Sequence, residues 1–266
     1  MLYLVATPIG NLKDMSLRAI ETLNSVDEIA CEDTRHSLTL LNAHGIKKPL
    51  FSYHKFNERE MGEKIIEKLK SGKNIAVISD AGMPVISDPG NILVNMLVES
   101  GIEYTVVPGA NAFLSALVLS GLNAEKFAFL GFLPEKQSEK QALLEKYKKL
   151  DMTLGFYSAP HDVKKDIAFL YSVLGDRKAV AVKEITKLHE RVERFTLKDG
   201  LNSEPKGEYV ILVEGFNPKT EIEGLSEEEH INKYLSLGYD KKEAIKLVAK
   251  ERGVPKSSLY KYTIEK

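Results

Sequence analysis

Ser79-Asp-Ala-Gly-Met-Pro-Val-Ile-Ser-Asp-Pro-Gly90 is the stretch around which the chain is organised. A β-branched run at residues 74–78 leads into it, and Ile92, Leu93, Met96 and Leu97 leave it at helical spacing. The segment therefore reads as a strand, a crowded turn and a helix start. Pro84 and Pro89 fix its backbone, while Gly82 and Gly90 allow that backbone to approach a ligand closely. In a parallel α/β sheet, ligands bind at the carboxyl ends of the strands. The plainer alternative is a structural turn in which Asp88, ahead of Pro89, caps the helix.

The same design recurs on both sides. Residues 2–6 form a continuous apolar run, as in a strand buried on both faces, and Thr7-Pro-Ile-Gly-Asn-Leu12 is its turn. Leu17, Ile20 and Leu23 mark a helix capped by Ser16. Residues 28–32 read as a strand ending in Glu32-Asp-Thr-Arg35, ahead of a helix with Leu38, Leu40 and Leu41. A strand at 50–54, a helix at 57–70, a helix at 91–100 and a strand at 104–107 follow; Pro108-Gly-Ala-Asn-Ala112 then opens a helix at 113–119. This alternation predicts a mostly parallel sheet with helices on both faces. The turns at 7–12, 79–90 and 108–112 then fall at one sheet edge, suited to a small polar ligand with a flat ring and a charged tail. Neither a Walker A loop nor a Gly-x-Gly-x-x-Gly fingerprint is present.

The rhythm changes near residues 121–125, where a domain boundary is expected. The expected organisation is an N-terminal α/β domain (1–121), a C-terminal α/β domain (122–217), a linker at 217–224 and a helical appendage (225–266). The second domain should hold strands at 127–132, 152–157, 179–185, 191–197 and 209–214, with helices at 136–149 and 162–173. Its last three strands have short links, which predicts a mixed or antiparallel sheet. In the appendage Ile231, Leu235, Ala244, Leu247, Val248, Val254, Leu259 and Tyr260 have helical spacing around Gly238 and Gly253, resembling a helix-turn-helix.

Composition narrows the function classes. With 266 residues, 43% hydrophobic and 28% charged, the chain has the profile of a globular protein with an ample core. A formal net charge of −1 excludes broad attraction to a polyanion, so nucleic acid would have to be met by local patches or by shape. The single cysteine, Cys31, excludes an intramolecular disulfide; it reads as a small buried hydrophobe in a cytoplasmic protein. Six scattered histidines lack metal-ligand spacing, so no metal is expected. The amino terminus reads as a strand rather than a signal peptide, and no apolar run of about 18 residues predicts a membrane span. Basic residues gather at Lys136, Lys140, Lys146, Lys148 and Lys149, and in residues 241–266, which hold eight Lys or Arg against three Glu. These are either solvated helix faces or the places best able to meet phosphates.

Several motifs occur together in a fixed order: Ala6-Thr-Pro-Ile-Gly-Asn-Leu12, Glu32-Asp-Thr-Arg-His36, the 79–90 stretch, Val107-Pro-Gly109 and Gly131-Phe-Leu-Pro134. Pro160-His161, Glu184-Ile-Thr-Lys-Leu-His-Glu190, Lys206-Gly-Glu-Tyr-Val-Ile-Leu-Val-Glu-Gly215 and Val248-Ala-Lys-Glu-Arg-Gly253 continue the series. Together they resemble the small-subunit (16S) ribosomal RNA cytidine-2′-O-methyltransferases of the tetrapyrrole methylase superfamily, over essentially the whole chain. The resemblance implies two α/β domains with S-adenosylmethionine in the cleft between them, and a homodimer. Matched residue by residue, it makes Asp80, Ala81, Gly82, Pro84 and Val85 the cofactor loop, with Pro8 and Gly10 at the amino-terminal edge of the cleft. Pro108, Gly109 and Ala110 lie along it, and Tyr157, Lys183 and Glu208 come from the second domain. The chain departs from the pattern at Met83 (Thr expected), Ala110-Asn111 (Pro-Ser), and Ser158 and Asp162 (Glu and Arg). The last two change the charge on the substrate side.

The activity implied is 2′-O-methylation of a cytidine ribose in 16S ribosomal RNA, in the assembled small subunit near the decoding centre, with no membrane or DNA partner. A ribose hydroxyl is a weak acid and a weak nucleophile, so the reaction gains from in-line positioning and a nearby base. Glu32, Asp33, Arg35, Asp88, His54 and Lys183 are the candidates. Each has a plainer role: an ion-paired helix cap for Glu32-Asp-Thr-Arg35, a helix cap for Asp88, a polar core residue for His54 and an exposed strand residue for Lys183. A precorrin C-methyltransferase on the same fold and a ligand-sensing helix-turn-helix regulator are the competing readings. No aromatic-rich platform for single strands is visible in the sequence, which favours recognition of a folded particle by shape.

Overall fold

A computed structural model describes residues 1–217 and 225–262; the rest of the expected linker lies outside the described residues. The chain forms two compact units, Met1–Lys148 with Met152–Glu214, and Lys149–Asp151 with Gly215–Lys266.

The first unit begins with alternating strands and helices: β1 (Leu2–Val5), α1 (Leu17–Ser25), β2 (Glu28–Cys31), α2 (Thr34–Ala43), β3 (Leu50–Ser52), α3 (Glu58–Lys70), β4 (Ile75–Ile78), α4 (Asn91–Glu99), β5 (Tyr104–Val107) and α5 (Ala112–Ser120). Their sheet has the order β3-β2-β4-β1-β5, and every pair in it is parallel. Helical crossovers place apolar cover on both faces, which is why continuous apolar strands suit it. Leu2, Leu4, Ala30, Ile75 and Val77 pack on Ile65, Leu93 and Leu97 on one face. The residues between them in the strands, Val5, Ile29, Cys31, Ala76 and Ile78, pack on Leu23, Val26 and Leu41 on the other. Cys31 is fully buried there.

α4 starts at Asn91, as the spacing predicts, and the alternative role of Asp88 as its cap is not realised. Its N-cap is Gly90, at φ 137° and without a side-chain cap bond, rather than Asp88. Pro89 and the left-handed Gly90 hold the chain out of the helix for two further residues, which releases the Asp88 carboxylate from capping.

After α5 come β6 (Phe127–Phe132), α6 (Gln137–Tyr147), β7 (Thr153–Ser158), α7 (Val163–Leu174), β8 (Lys178–Lys183), β9 (Arg191–Thr196) and β10 (Tyr209–Val213). This second sheet is mixed, in the order β6-β7-β10-β8-β9. The α6 crossover lets β6 and β7 run parallel, and the shorter connections leave β8, β9 and β10 antiparallel to their neighbours. The two sheets share a core: Ile9, Phe113, Ala116 and Leu117 from the first half pack with Val180, Val182, Val210 and Leu212 from the second. Gly155 in β7 makes this possible, because a Cβ there would overlap the Phe113 ring.

The second unit holds α8 (Glu227–Ser236), α9 (Lys241–Arg252) and α10 (Lys256–Leu259) around Ile231, Ala244, Ile245, Val248 and Leu259. Ser226 and Glu229 form a capping box at the start of α8, and Gly253 at φ 66° ends α9. No helix among the described residues is long and apolar enough to cross a membrane.

Candidate active site

The three turns meet at the carboxyl edge of the first sheet. Thr7 and Gly82 pair through both backbone groups, at 2.8 and 3.1 Å. The buried Thr7 hydroxyl donates to the Ser79 carbonyl at 3.1 Å, and the Ser79 hydroxyl to the Gly82 carbonyl at 3.2 Å. Gly82 has φ +83°, and a Cβ on it would lie 3.2 Å from Ile9 Cγ2. A Cβ on Gly109 would lie 2.9 Å from the Ala6 Cβ, and one on Gly10 would lie 2.9 Å from Thr186 Oγ1. Glycine at 10 and 109 thus lets the turns after β1 and β5 close against the loop after β8 and against β1.

Beside these turns lies a cleft of about 480 Å³, within the range of small-molecule sites. One wall comes from the 79–90 loop and the start of α5, including Asp80, Ala81, Gly82, Met83, Asp88 and Asn111. The other comes from the second sheet, including Phe132, Tyr157, Ser158, Glu184, Lys187 and Glu208. Among the described residues, the non-glycine positions in the left-handed region are Val85 (φ 77°), Ser87 (65°), Glu184 (51°) and Thr186 (67°). All four lie in the two loops that face each other across the cleft. Each such conformation costs on the order of 1–3 kcal/mol and is retained where the surroundings enforce it.

The first wall is acidic. Burial, and then the negative charges of Glu32 and Asp80, push the Asp88 carboxyl up to about 7. Burial and Asp80 also raise Glu32, against the pull of His54. Asp80 Oδ1 accepts from the Asp33 backbone N–H at 3.2 Å. None of Glu32, Asp80 and Asp88 makes an ion pair among the described residues. The opposite wall is paired internally: Lys187 Nζ lies 3.1 Å from Glu184 Oε1 and 2.9 Å from Glu208 Oε2. Burial opposes ionisation of Glu184, but the Glu208 N–H and Lys187 hold it below the usual carboxylate range. Gly207 leaves room for that carboxylate. Burial raises the hydroxyl of Tyr157 on the second wall, and Asp88 and Glu208 add to the effect.

Of the residues expected from the sequence, Asp80, Ala81, Gly82, Asp88, Tyr157 and Glu208 line the cleft. Pro8, Gly10, Pro84, Val85, Pro108, Gly109 and Ala110 sit in the bordering turns without lining it. Glu32 and His54 do not line the cleft; the charge of Glu32 acts on Asp88, and His54 acts on Glu32. Asp33 caps α2, accepting from the Arg35 N–H at 2.8 Å, and pairs with the exposed Arg35 guanidinium at 3.2 Å. That pairing holds Asp33 below its usual range. Lys183 lies over the Tyr209 ring, 6.0 Å from its centroid, and does not line the cleft. Lys140 is drawn away from the surface to the buried Asp166 at 3.1 Å, where Asp166 also accepts from the Ser158 hydroxyl at 2.7 Å. Lys136 and Lys148 are paired with Glu139 and Glu145. Asn111 and Ser158, which enter the sequence reading as departures from the family pattern, also line the cleft; Phe132, Glu184 and Lys187 line it too, and although each stands in a quoted motif, nothing in its spacing shows that it faces a cleft.

Residues 1–200 match the family Tetrapyrrole (Corrin/Porphyrin) Methylases. The chain is 45% identical over 268 residues to the Ribosomal RNA small subunit methyltransferase I of Halalkalibacterium halodurans, covering 97% of this chain and 93% of that one. It is also 45% identical over 271 residues to the protein of that name from Bacillus subtilis, covering 98% and 92%. Among solved structures it is similar to a diphthine synthase, with a TM-score of 0.65 and 17% identity over 80% of this chain and 89% of that one. The methyltransferase CobJ gives a TM-score of 0.63 at 16% identity, over 80% and 93%. At such identities these structures speak for the fold alone. A parallel sheet joined to a mixed one, a family match along residues 1–200 and near-full-length relatives at 45% identity agree: the chain belongs to the tetrapyrrole methylase family, among the proteins named ribosomal RNA small subunit methyltransferase I.

Proposed function

We propose that the protein is an S-adenosylmethionine-dependent methyltransferase of small-subunit ribosomal RNA. In this reading it methylates the 2′-hydroxyl of a cytidine ribose in 16S RNA, within the assembled small subunit near the decoding centre, as a cytoplasmic homodimer. The name of the relatives supports the RNA substrate, and the motif resemblance supports the cytidine ribose and the homodimer. The observation that carries the chemistry is Asp88, a cleft-lining carboxyl held near neutral pH by burial beside Glu32 and Asp80.

The donor set fits the cofactor. Asp80 and Asp88, without cationic partners of their own among the described residues, complement a positively charged ligand. Ile9, Ala81, Ile185 and Val210 offer apolar surface to a ring, and Gly82 permits close backbone approach. When bound, S-adenosylmethionine supplies an electrophilic methyl group on a sulfonium.

The protein's own part is positioning and proton transfer. Asp88, as carboxylate, would take the proton of the ribose hydroxyl as the methyl group passes from sulfur to oxygen, its C–S bond breaking to leave a neutral thioether, and would then release that proton to water. Burial, with the charges of Glu32 and Asp80 adding to it, keeps that carboxylate basic enough to act near neutral pH. Phe132 and Tyr157, with ring centroids 5.5 Å apart, give the cleft an aromatic wall that limits water.

Transfer of labelled methyl groups should be compared on small subunits from a strain lacking this gene, on naked ribosomal RNA and on a corrin precursor. Label at one ribose, resistant to alkaline cleavage and present on subunits only, is the expected result. Label on the corrin precursor, or none despite cofactor binding, overturns the assignment.

A further inference from the structure

The two most exposed large apolar side chains among the described residues are Phe56, at 94%, and Leu188, at 93%. Single exposed apolar residues are ordinary; the placement of these two is not. Leu188 is next to Lys187, which lines the cleft. Phe56 is in the turn between β3 and α3, beside His54, with ring centroids 6.0 Å apart.

That turn is held rigidly. Asn57 Oδ1 accepts from the His54 N–H at 2.8 Å, its Nδ2 donates to the Ser52 carbonyl at 3.2 Å, and its own N–H donates to the His54 carbonyl at 2.9 Å. Tyr53 is buried beneath it. Glu58 Oε1 accepts from the N–H of Gly90, the last residue of the cleft loop, at 3.3 Å. An aromatic ring is thereby presented to solvent on a turn tied to the cleft's acidic wall. Lys55 and Arg59 flank it, both exposed and neither in an ion pair among the described residues.

We propose that this turn is a nucleobase-stacking platform, with Phe56 receiving an unpaired base of the RNA strand that enters the cleft and Lys55 and Arg59 meeting its phosphates. The inference rests on the RNA reading above and adds a specific contact to it. A flat apolar ring flanked by cations matches an unstacked base on its phosphate backbone, and sequence-tolerant stacking is how proteins hold such bases. Pre-ordering the turn lowers the entropy lost on binding.

The test is steady-state methylation of small subunits by Phe56→Ala, Phe56→Trp and Phe56→Leu, with cofactor affinity by calorimetry and mass by sedimentation. Phe56→Ala should raise KM for subunits roughly 5- to 100-fold, with kcat, cofactor affinity and mass unchanged; Trp should restore KM and Leu should not. An unchanged KM in Phe56→Ala overturns the platform. Full rescue by Leu overturns it in favour of an apolar protein contact, and loss of the dimer in favour of an interface between copies. If the wild-type protein methylates no RNA, the RNA reading fails and the platform with it. If the wild-type protein methylates subunits and Phe56→Ala matches it, the platform alone fails.

Discussion

Replacing Asp88 with Asn should stabilise the protein at high pH while removing its activity. In the folded chain the Asp88 carboxyl is raised from an ordinary 3.8 to about 7. Between those values the native state holds a proton that the unfolded chain has released. Stability therefore falls as pH rises from about 4 to 7 and stays lower above that. The ceiling on this loss is roughly 4 kcal/mol, at about 1.36 kcal/mol per pH unit; partial exposure to solvent reduces it to about 2 kcal/mol. Asn has the shape of the protonated carboxyl and carries no charge. Thermal unfolding of the Asp88→Asn variant should show a gain of about 4–8 °C over wild type at pH 8.5 and almost none at pH 4. Methyl transfer should fall by about 10²- to 10⁴-fold. An equal gain at both pH values would mean that shape, not charge, governs the site. A loss at both would show that the carboxylate makes a stabilising bond, and the reasoning would be refuted.

Other consequences follow from particular contacts. Gly155→Ala should lower stability by about 1–3 kcal/mol through overpacking on the Phe113 ring, read by denaturant unfolding; a neutral result would show that α5 and β7 are not tightly locked there. The double substitution Lys55→Ala with Arg59→Ala should flatten the dependence of log affinity on log salt for small subunits by about 1.4, the value for two contacts to single-stranded phosphates. An unchanged slope would place the phosphate contacts elsewhere. In the helical unit, burial lowers the pKa of His230 from 6.5, and Arg252 Nε donates to its Nδ1 at 3.1 Å, which keeps a proton off that nitrogen. Because the unfolded chain takes up a proton near 6.5 and the folded one only at a lower pH, this unit should lose stability as pH falls below about 6.5. Limited proteolysis of wild type and His230→Gln should show that loss in wild type alone.

The carboxylates show how far a linear reading reaches. Glu32 and Asp80 were recognisable just past the ends of strands, and Asp88 in the loop that follows Asp80, because strand ends in an alternating α/β pattern are where ligands gather. Whether Asp88 caps α4 or faces the cleft was not recognisable. It depends on Gly90 at φ 137°, which delays α4 and leaves Asp88 to the cleft. Lys140 makes the same point from the other side: its neighbours on α6 suggest an exposed basic face, while residues distant in sequence supply the buried Asp166 that engages it. Phe56 is one more aromatic in a turn until the anchoring of that turn to Gly90 and Ser52 shows that it is held outward.

The sequence by itself determined the alternation of strands and helices, since largely apolar strands such as β1 and β4 require cover on both faces and Pro/Gly turns after β1, β4 and β5 require a common edge. Only the tertiary structure decided which carboxyl titrates near 7, which lysine is neutralised and which aromatic meets solvent. Those properties arise from burial and from charges brought together across tens of residues, as when Glu32 and Asp80 close around Asp88, and no local pattern encodes them.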